Sequence, residues 1–339
     1  MAMEQTTRLV GHSTVLLDAI ERASRAAALD RPVLVIGERG TGKEMVAERL
    51  HRLSPRWDQP FLSVNCAALP ENLLDAELFG YEPGAFTGAT KGRAGRFEEA
   101  DGGTLFLDEL GTLTPPAQER LLRVVEYGEF ARLGSNQVRR VNVRIVGATN
   151  ADLPGLAEEG RFRADLLDRL SFEVVTLPPL RVRGEDIMDL ASHFGRRMAV
   201  ELGWDNFPGF SDAAAEKLHS YPWPGNVREL KNVVERAVYS SDAPDRPIDR
   251  LRFDPFESPW RPAAEVEEPA PAAEIGHEKA VHDHEDCDDL RQAVHDYEKA
   301  ILMAALQRCR FNQRETAMAL ALTYDQLRHA MKKHDLHKN

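Results

Sequence analysis

The chain has 339 residues, of which 42% are hydrophobic and 29% charged, a balance typical of globular proteins that bury a core. Its formal net charge of −12 argues against a protein that coats nucleic acid through a global positive field, although a local basic patch is compatible with it. Three widely separated cysteines fit neither a disulfide framework nor a four-ligand zinc site. No apolar run resembles a signal sequence or a membrane span, so we expect a cytoplasmic protein without direct membrane insertion.

An α/β unit is predicted over residues 1–180. From Pro32 to about Thr176, short β-branched or apolar runs alternate with stretches of helical period, which is typical of a parallel sheet flanked by helices. The predicted strands are Val33–Ile36, Phe61–Val64, Thr104–Leu107, Val143–Val146 and Glu173–Leu177.

Residues 181–256 show helical periodicity alone and predict a small helical subdomain, with helices at Ile187–Met198, Asp212–His219 and Asn226–Tyr239. Residues 257–289 are rich in Ala, Pro and acidic side chains, which predicts a solvated linker. Its potential metal ligands lack a rigid second shell, so we favour no metal site there; they are His277, His282, His284 and Cys287. Residues 290–339 predict an all-α domain.

A glycine-rich loop directly follows the first strand and opens a helix, which is the context that a phosphate-binding loop requires. Backbone N–H groups and the helix N-terminus would bind phosphate oxygens, while Lys43 would reach the terminal phosphates of ATP. The alternative, an ordinary turn, does not explain why every spacing and both flanking elements match. The predicted nucleotide-binding residues are Gly37, Glu38, Arg39, Gly40, Thr41, Gly42, Lys43 and Glu44.

One position departs from the general pattern: Glu44 stands where Ser or Thr usually binds magnesium. We therefore expect the metal to depend on the apolar strand that ends in Asp108 and Glu109. Asp108 would hold Mg²⁺, directly or through water, and Glu109 would orient and activate the attacking water. A strand that merely ends in solvated acids is the alternative.

The hexapeptide Gly84-Ala85-Phe86-Thr87-Gly88-Ala89 places an aromatic side chain between glycines. Glycine on both sides weakens a helix or strand, so this segment suits a mobile loop tip better than a core. The complete hexapeptide marks the bacterial sigma-54-dependent enhancer-binding activators. The chain resembles the phage shock branch of this family over roughly Leu9 to Leu336.

The resemblance implies an AAA+ ATPase with a helical lid and a C-terminal Fis-type helix-turn-helix domain, which remodels sigma-54 RNA polymerase. All six residues of the hexapeptide, Phe86 and Thr87 above all, would contact the sigma factor. Further roles implied by position are the switch partner of Glu109 (Asn65), the first nucleotide sensor (Thr149 and Asn150), the arginine fingers offered to a neighbouring subunit (Arg163 and Arg169) and the second sensor (Arg228). The resemblance also implies self-association into a ring, a hexamer by analogy.

The last part of the chain predicts a helix pair over Asn312–Leu320 and Tyr324–Lys333, in a locally basic segment of an acidic protein. Such a pair is typical of a module that binds double-stranded DNA, here an enhancer, although a helical oligomerisation module is the alternative. The side chains predicted to face base edges or phosphates are Tyr324, Gln326, Arg328, His329, Lys332 and Lys333.

The family core begins near Leu9, so we expect no sensory domain ahead of it. The resemblance therefore implies control by a separate inhibitory protein resembling phage shock protein A. Trp57, in the polar stretch Ser54–Gln59, matches a surface Trp associated with that inhibitor. Packing of Trp57 against its own domain is an equally open interpretation.

Two other classes of protein deserve comparison. A replication initiator or helicase loader is also a DNA-bound AAA+ machine, but it has no reason to carry the segment Gly84–Ala89. A DNA-binding regulator without hydrolysis would not require Lys43, Asp108 and Glu109 together. We therefore favour a mechanochemical ATP hydrolase.

Overall fold

The computed structural model describes residues 9–257, 260, 290–309, 312–334 and 336. The chain divides into two compact units, Met1–Glu257 and Ser258–Asn339. The predicted linker over residues 257–289 lies almost wholly outside the described residues, as do His277, His282, His284 and Cys287.

The first unit contains a five-stranded parallel sheet in the order β2-β3-β6-β1-β7 and a separate antiparallel pair, β4 and β5. In chain order the strands are β1 (Val33–Ile36), β2 (Phe61–Asn65), β3 (Thr104–Asp108), β4 (Glu129–Ala131), β5 (Val138–Arg140), β6 (Arg144–Thr149) and β7 (Glu173–Thr176). The helices of this unit are α1 (Thr14–Ala27), α2 (Lys43–Arg52), α3 (Glu71–Phe79), α4 (Arg96–Glu99), α5 (Pro115–Tyr127), α6 (Leu153–Glu158), α7 (Ala164–Leu170), α8 (Gly184–Glu201), α9 (Asp212–Ser220) and α10 (Asn226–Tyr239).

All five predicted strands of the parallel sheet are present, and β6 differs most because it begins at Arg144 and continues to Thr149. The central strands β3, β6 and β1 are almost wholly buried, since helices cover both faces of the sheet, whereas the edge strands β2 and β7 are partly exposed. Side chains alternate between the two faces: Leu105 and Leu107 pack with α3, α5 and α7, while Phe106 packs with α1 and α2. The result is a three-layer α/β structure.

The β4–β5 hairpin was not among the predicted elements. Each strand has three residues, and β5 reads Val-Arg-Arg, so neither strand is long or apolar enough to produce a period-2 signal. Its position depends on tertiary contacts: Leu133 accepts a hydrogen bond from Glu82 N at 3.0 Å, and Leu133 N donates to Gly80 O at 2.9 Å. The hairpin therefore lies beside the segment that leads into Gly84–Ala89.

Helices α8, α9 and α10 form the predicted helical subdomain, here called the lid. Trp223 is fully buried at its centre, among Leu190, Leu218 and Leu230. The Trp223 indole N–H donates to Leu218 O at 2.9 Å, so this buried polar group has a hydrogen-bond partner. The helical periodicity predicted the three helices, but the burial of Trp223 between them was not predicted.

The second unit consists of α11 (Leu290–Arg308), α12 (Gln313–Ala319) and α13 (Tyr324–Lys333) around a small core of Leu302, Leu306, Ala317, Leu327 and Met331. Asn312 caps α12, and Thr323 caps α13. The intervening turn passes through Ala321 at φ +54°. Among the described helices of both units, none combines the length and apolar character that a membrane span needs.

Candidate nucleotide-binding site

The predicted nucleotide residues meet at the carboxyl edge of the parallel sheet. Strand order places the end of β2 beside the end of β3, then β6, then β1. Asn65 therefore lies opposite Asp108 in the β-sheet register, and Thr149 lies beside the loop that starts at Gly37. Ligands of parallel α/β sheets bind at this edge, because strand ends and helix N-termini converge there.

The phosphate loop, residues Gly37–Lys43, is a tight turn between β1 and α2. Gly40 and Gly42 adopt φ values of +78° and +100°, a region that favours glycine. Gly37 N donates to Thr149 O at 3.2 Å, and the Thr41 hydroxyl donates to Glu38 O at 2.8 Å. These bonds fix the loop between the sheet and the first turn of α2.

Lys43 is buried within this turn. Its ammonium group donates to the carbonyl oxygens of Gly37 at 2.9 Å and Glu38 at 3.3 Å. Burial lowers the pKa of Lys43, while the nearby carboxylates of Glu109 and Asp108 raise it in part. The Lys43 ammonium group thus lies beside the loop backbone that would bind phosphate. The carboxylates of Glu109 and Asp108 are close enough to influence its pKa.

The acidic pair occupies the end of β3. Asn65 Nδ2 donates to Asp108 Oδ2 at 3.3 Å, and Glu109 N donates to Asp108 Oδ1 at 3.0 Å. In this structure the amide of Asn65 therefore contacts Asp108 rather than Glu109, the partner that the resemblance implied. Cys66, the next residue, is buried and donates its backbone N–H to Asp108 O at 2.9 Å.

Glu109 has a left-handed backbone, with φ +53°. A non-glycine residue in this region stores strain, and such residues concentrate at functional sites. Its side chain is mostly buried and lies 3.8 Å from Arg39 Nε of the phosphate loop. Sequence reasoning did not identify this pair, because Arg39 and Glu109 are distant in the chain.

The donor set suits a magnesium ion that is shared with phosphates. Among residues that the structure describes, no group of three or more His, Cys, Asp or Glu side chains could hold a metal alone. Mg²⁺ commonly takes one or two carboxylates and completes its shell with phosphate and water oxygens. Asp108 supplies such a carboxylate, and Glu44, exposed on the first turn of α2, is a second acid beside the loop.

The residues predicted as the first sensor lie at the end of β6, where Thr149 is the last residue of the strand and Asn150 follows it. Thr149 is buried, and its hydroxyl accepts a hydrogen bond from Ala151 N at 3.0 Å, whereas Asn150 is exposed. Their backbone adjoins the phosphate loop through the bond from Gly37 N to Thr149 O. The structure thus brings this predicted pair to the nucleotide edge.

The lid touches the phosphate loop directly. Val227 N donates to Gly40 O at 3.0 Å, and a Cβ on Gly40 would lie 3.0 Å from the Cβ of Arg228. Arg228 is exposed and close enough to lower the pKa of Lys43 slightly. Glu38, predicted as part of the phosphate cradle, instead directs its carboxylate to the lid residues Arg181 and Asn226.

The hexapeptide Gly84–Ala89 forms a short loop at the surface. Gly84 and Gly88 have φ values of +82° and +96°, and Gly84 N donates to Ala89 O at 2.8 Å. Phe86 is 44% exposed and makes an edge contact with the Tyr81 ring, at a centroid distance of 5.0 Å. The aromatic ring is therefore presented at a tip rather than sealed in the core.

Three known families match this chain in order: the Sigma-54 interaction domain over residues 9–176, the AAA+ ATPase lid domain over 181–258, and the bacterial regulatory protein Fis family over 293–334. The Psp operon transcriptional activator of Escherichia coli K12 is 52% identical over 334 residues, which cover 98% of this chain and 99% of that protein. The chain belongs to the sigma-54-dependent transcription activators.

Other relatives of this activator are longer. The Nif-specific regulatory protein of Azotobacter vinelandii is 50% identical over 234 residues, which are 69% of this chain and 44% of that protein. The crystal structure of NtrX from Brucella abortus in complex with ATP has a TM-score of 0.68 and 31% identity, with coverage of 97% of this chain and 70% of that one. A second NtrX structure, in complex with ADP, has a TM-score of 0.67 at 31% identity. The activator is an AAA+ ATPase with a Fis-type DNA-binding domain.

Of the two arginines predicted as fingers, Arg163 immediately precedes α7 of the activator and Arg169 lies in its last turn. Arg163 Nη2 donates to Asp165 Oδ2 at 2.7 Å, and Arg169 Nη2 donates to Glu126 Oε1 at 2.7 Å. The hydrogen bond with Asp165 raises the pKa of Arg163. Both guanidinium groups are largely exposed, so within this chain they pair with surface carboxylates.

The predicted DNA-contacting residues of the activator divide into two groups on α13. Arg328, His329 and Lys332 are exposed. Gln326 instead caps the helix, since its amide oxygen accepts from Thr323 N at 2.8 Å, and Lys333 donates to Glu298 of α11 at 2.6 Å. The hydroxyl of Tyr324 donates to Gln313 of α12 at 3.2 Å.

Trp57 of the activator is 68% exposed, in the turn after α2. Of the two open interpretations, this exposure favours a surface role over packing within its own domain.

Proposed function

We propose that the activator couples ATP hydrolysis at the sheet edge to movement of the Gly84–Ala89 loop, and so converts a closed sigma-54 RNA polymerase complex into an open one. The supporting observation is the pairing of two features in one domain. First, the phosphate loop, the acidic end of β3 and the residues predicted as sensors meet at the carboxyl edge of the parallel sheet. Second, the side chain of Phe86 is exposed between two glycines with positive φ.

In this mechanism the backbone N–H groups of Gly37–Gly42 and the ammonium of Lys43 bind the phosphates. The Glu109 carboxylate accepts a proton from the attacking water, or a hydrogen bond that orients it. Asn65 holds the neighbouring Asp108 through its amide at 3.3 Å, and can exchange that bond for one with Glu109. Thr149 and Asn150, together with Arg228, sense the terminal phosphate.

Asp108 is the residue proposed to hold magnesium, with Glu44 as a second acid near the loop. When bound, the ion neutralises charge on the phosphate oxygens as transfer proceeds. The proposal for nucleotide is supported by NtrX from Brucella abortus, which has been crystallised with ATP and with ADP.

We infer that the active form is a ring, a hexamer by resemblance, in which Arg163 and Arg169 enter the nucleotide site of the neighbouring subunit. An arginine finger contributes about 10³–10⁵ in rate by stabilising transition-state charge. Both arginines are held by surface carboxylates in the single chain, which is compatible with transfer to a neighbour. Hydrolysis per subunit should therefore rise steeply with protein concentration.

We propose that the functional segments are 1–180, 181–256, the linker 257–289 and the DNA-binding domain 290–339. The family matches at 9–176, 181–258 and 293–334 support these bounds. The last segment would bind double-stranded enhancer DNA through Arg328, His329 and Lys332, while Tyr324, Gln326 and Lys333 also brace the helices. Because the activator would act on RNA polymerase, we place it in the cytoplasm.

We propose that a separate inhibitor resembling phage shock protein A binds at Trp57, whose exposed fraction of 68% makes it available. Trp57→Ala should release inhibition and leave basal hydrolysis intact, because the side chain contributes little to the core. Titration of hydrolysis with the inhibitor measures this, with Leu53→Ala, a nearby exposed apolar residue, as control. Unchanged inhibitor affinity in the Trp57 variant would contradict the assignment.

In vitro transcription from a sigma-54 promoter tests the proposed coupling. Thr87→Ala should retain ATP hydrolysis and lose open-complex formation, because it alters the loop tip without touching the sheet edge. Thr90→Ala, an exposed threonine just after the loop, is the matched control and should transcribe normally. Equal transcription by the Thr87 variant and the wild type would refute the mechanism.

A further inference from the structure

Glu38 joins the phosphate loop to the lid through a bidentate ion pair with Arg181. Arg181 Nη2 donates to Glu38 Oε1 at 2.6 Å, and Arg181 Nη1 donates to Glu38 Oε2 at 2.9 Å. Arg181 belongs to the short turn Leu180–Val182 that precedes the lid helices. Such paired, charge-assisted bonds fix both distance and orientation, which a single contact would not.

Asn226 adds a second connection from the start of α10. Its side-chain nitrogen donates to Glu38 Oε2 and to Arg39 O, both at 3.0 Å. Its side-chain oxygen accepts from Leu180 N at 2.8 Å. Asn226 is fully buried, so these partners satisfy each polar atom of its amide group at the junction between loop and lid.

The backbone around these side chains is shaped for close approach. Asn226 has φ +53°, an unusual conformation for a residue other than glycine. A Cβ on Gly40 would lie 2.3 Å from the Gly225 carbonyl oxygen, so glycine is required where the loop meets the lid. The junction is therefore a fitted contact rather than an accidental surface ion pair.

The charge of Glu38 also needs explanation, because a carboxylate in a loop that binds phosphates would repel them. Hydrogen bonds from Arg181 and Asn226 lower the pKa of Glu38 to about 2, so it is ionised at every physiological pH. Arg181 offsets this negative charge, and the carboxylate faces the lid. The Glu38 carboxylate therefore pairs with the lid and repels bound phosphates less.

We propose that Glu38, Arg181 and Asn226 form a latch that holds the lid against the phosphate loop and so places Arg228 for the nucleotide. Glu38 is a positioning residue in this arrangement, and Arg228, two residues after Asn226, moves with α10. The inference rests on the proposed role of Arg228 as the second sensor.

A latch of this kind acts on the fraction of molecules whose lid is closed. The apparent dissociation constant of a ligand equals its intrinsic value divided by that fraction. Loss of the latch should therefore raise the KM for ATP about fivefold to tenfold, at the low end of the coupling that is typical between two sites. Turnover at saturating ATP should change less than about twofold, since Lys43, Asp108 and Glu109 are not altered.

A double-mutant cycle in the full chain tests the latch. We would measure kcat and KM for magnesium-ATP, at one fixed protein concentration, for Glu38→Gln, Arg181→Met and the combined variant. Each single variant should raise KM, and the combined variant should be no worse than the stronger single one, because both remove the same contact. Arg181→Lys keeps one charge but loses the paired geometry, and should recover part of the affinity.

Arg22→Met is the matched control. Arg22 of α1 makes a comparable exposed, long-range ion pair with Glu173 at 2.9 Å and should leave KM unchanged. Thermal melting of every variant checks the fold; Glu38 and Arg181 are about half exposed, with side-chain values of 42% and 48%, so their replacement should not unfold the domain.

Normal KM values for both single variants, or effects that simply add in the double variant, would overturn the latch. Arg228→Ala separates this result from failure of the proposed sensor. If Arg228→Ala leaves ATP affinity unchanged, the second-sensor role is lost, while the coupling between Glu38 and Arg181 still reports whether the lid is held by these residues.

Discussion

The candidate nucleotide-binding edge of the parallel sheet and the Gly84–Ala89 loop hold their predicted functional residues in opposite ways. At the edge, the ends of four neighbouring parallel strands or their following loops place Asn65, Asp108, Thr149 and Gly37 side by side. At the loop, Phe86 is 44% exposed and contacts Tyr81 at its own base. The comparison shows one set of predicted site residues fixed by the strands of a sheet, and another exposed on a surface loop between glycines of positive φ.

Glycine makes the contrast explicit. Gly40 and Gly84 have nearly the same positive φ, +78° and +82°. A Cβ on Gly40 would strike the Gly225 carbonyl at 2.3 Å, whereas a Cβ on Gly84 would meet no atom within 4 Å. The first glycine is required for a close fit, and the second for its conformational freedom.

The largest effect is expected at the edge, from Glu109→Gln. The amide keeps the size of the side chain but cannot accept a proton from water, so hydrolysis should fall by about 10²–10⁴. Nucleotide binding should persist, because Lys43 and the loop backbone are unchanged. Single-turnover hydrolysis and equilibrium ATP binding measure the two quantities. Hydrolysis near the wild-type rate would remove Glu109 from the catalytic role.

An intermediate effect is expected from one substitution made in both regions. Gly40→Ala should weaken ATP binding at least tenfold and lower the melting temperature, because the new methyl group cannot coexist with the lid contact. Gly84→Ala meets no atom and adds only backbone strain of about 1–2 kcal/mol in a surface loop. It should hydrolyse ATP normally and transcribe poorly.

ATP titration, thermal melting and transcription on the same two proteins check this contrast. Thr90→Ala again serves as the control outside the loop. A pair of variants with the same pattern of defects would show that the two glycines do not serve different purposes.

The smallest effect concerns Cys66, next to the acidic edge. Burial, and then the charges of Asp108 and Glu109, raise the pKa of Cys66 from 9.0 to about 12. The folded state therefore holds the neutral thiol, and this contribution to stability is present below pH 9 and is lost as the pH rises through about 12. Cys66→Ala should reduce the loss of stability over this alkaline range.

Thiol labelling at pH 8 provides the direct measurement. In a Cys287→Ser background, Cys66 should react only after unfolding, whereas the partly exposed Cys309 should react in the native protein. Equal labelling of Cys66 and Cys309 in the folded chain would contradict the buried, neutral thiol.

Short-range patterns in the sequence predicted much of this activator. The phosphate loop, the strand that ends in Asp108 and Glu109, and the hexapeptide are each continuous, so residue order alone specifies their local chemistry. The same holds for the parallel sheet, whose central strands β3, β6 and β1 are apolar runs buried on both faces, while the edge strands β2 and β7 are partly exposed.

Tertiary structure alone decided the partners of these segments. Glu38 finds Arg181 and Asn226, which are 143 and 188 positions away, and Arg39 finds Glu109 across the site. The amide of Asn65 contacts Asp108, and the hairpin of β4 and β5 is fixed by its neighbours. Periodicity and spacing report only which residues are near one another along the chain. Contacts across a sheet edge or a lid depend on strand order and loop path, and these are determined when the whole core packs.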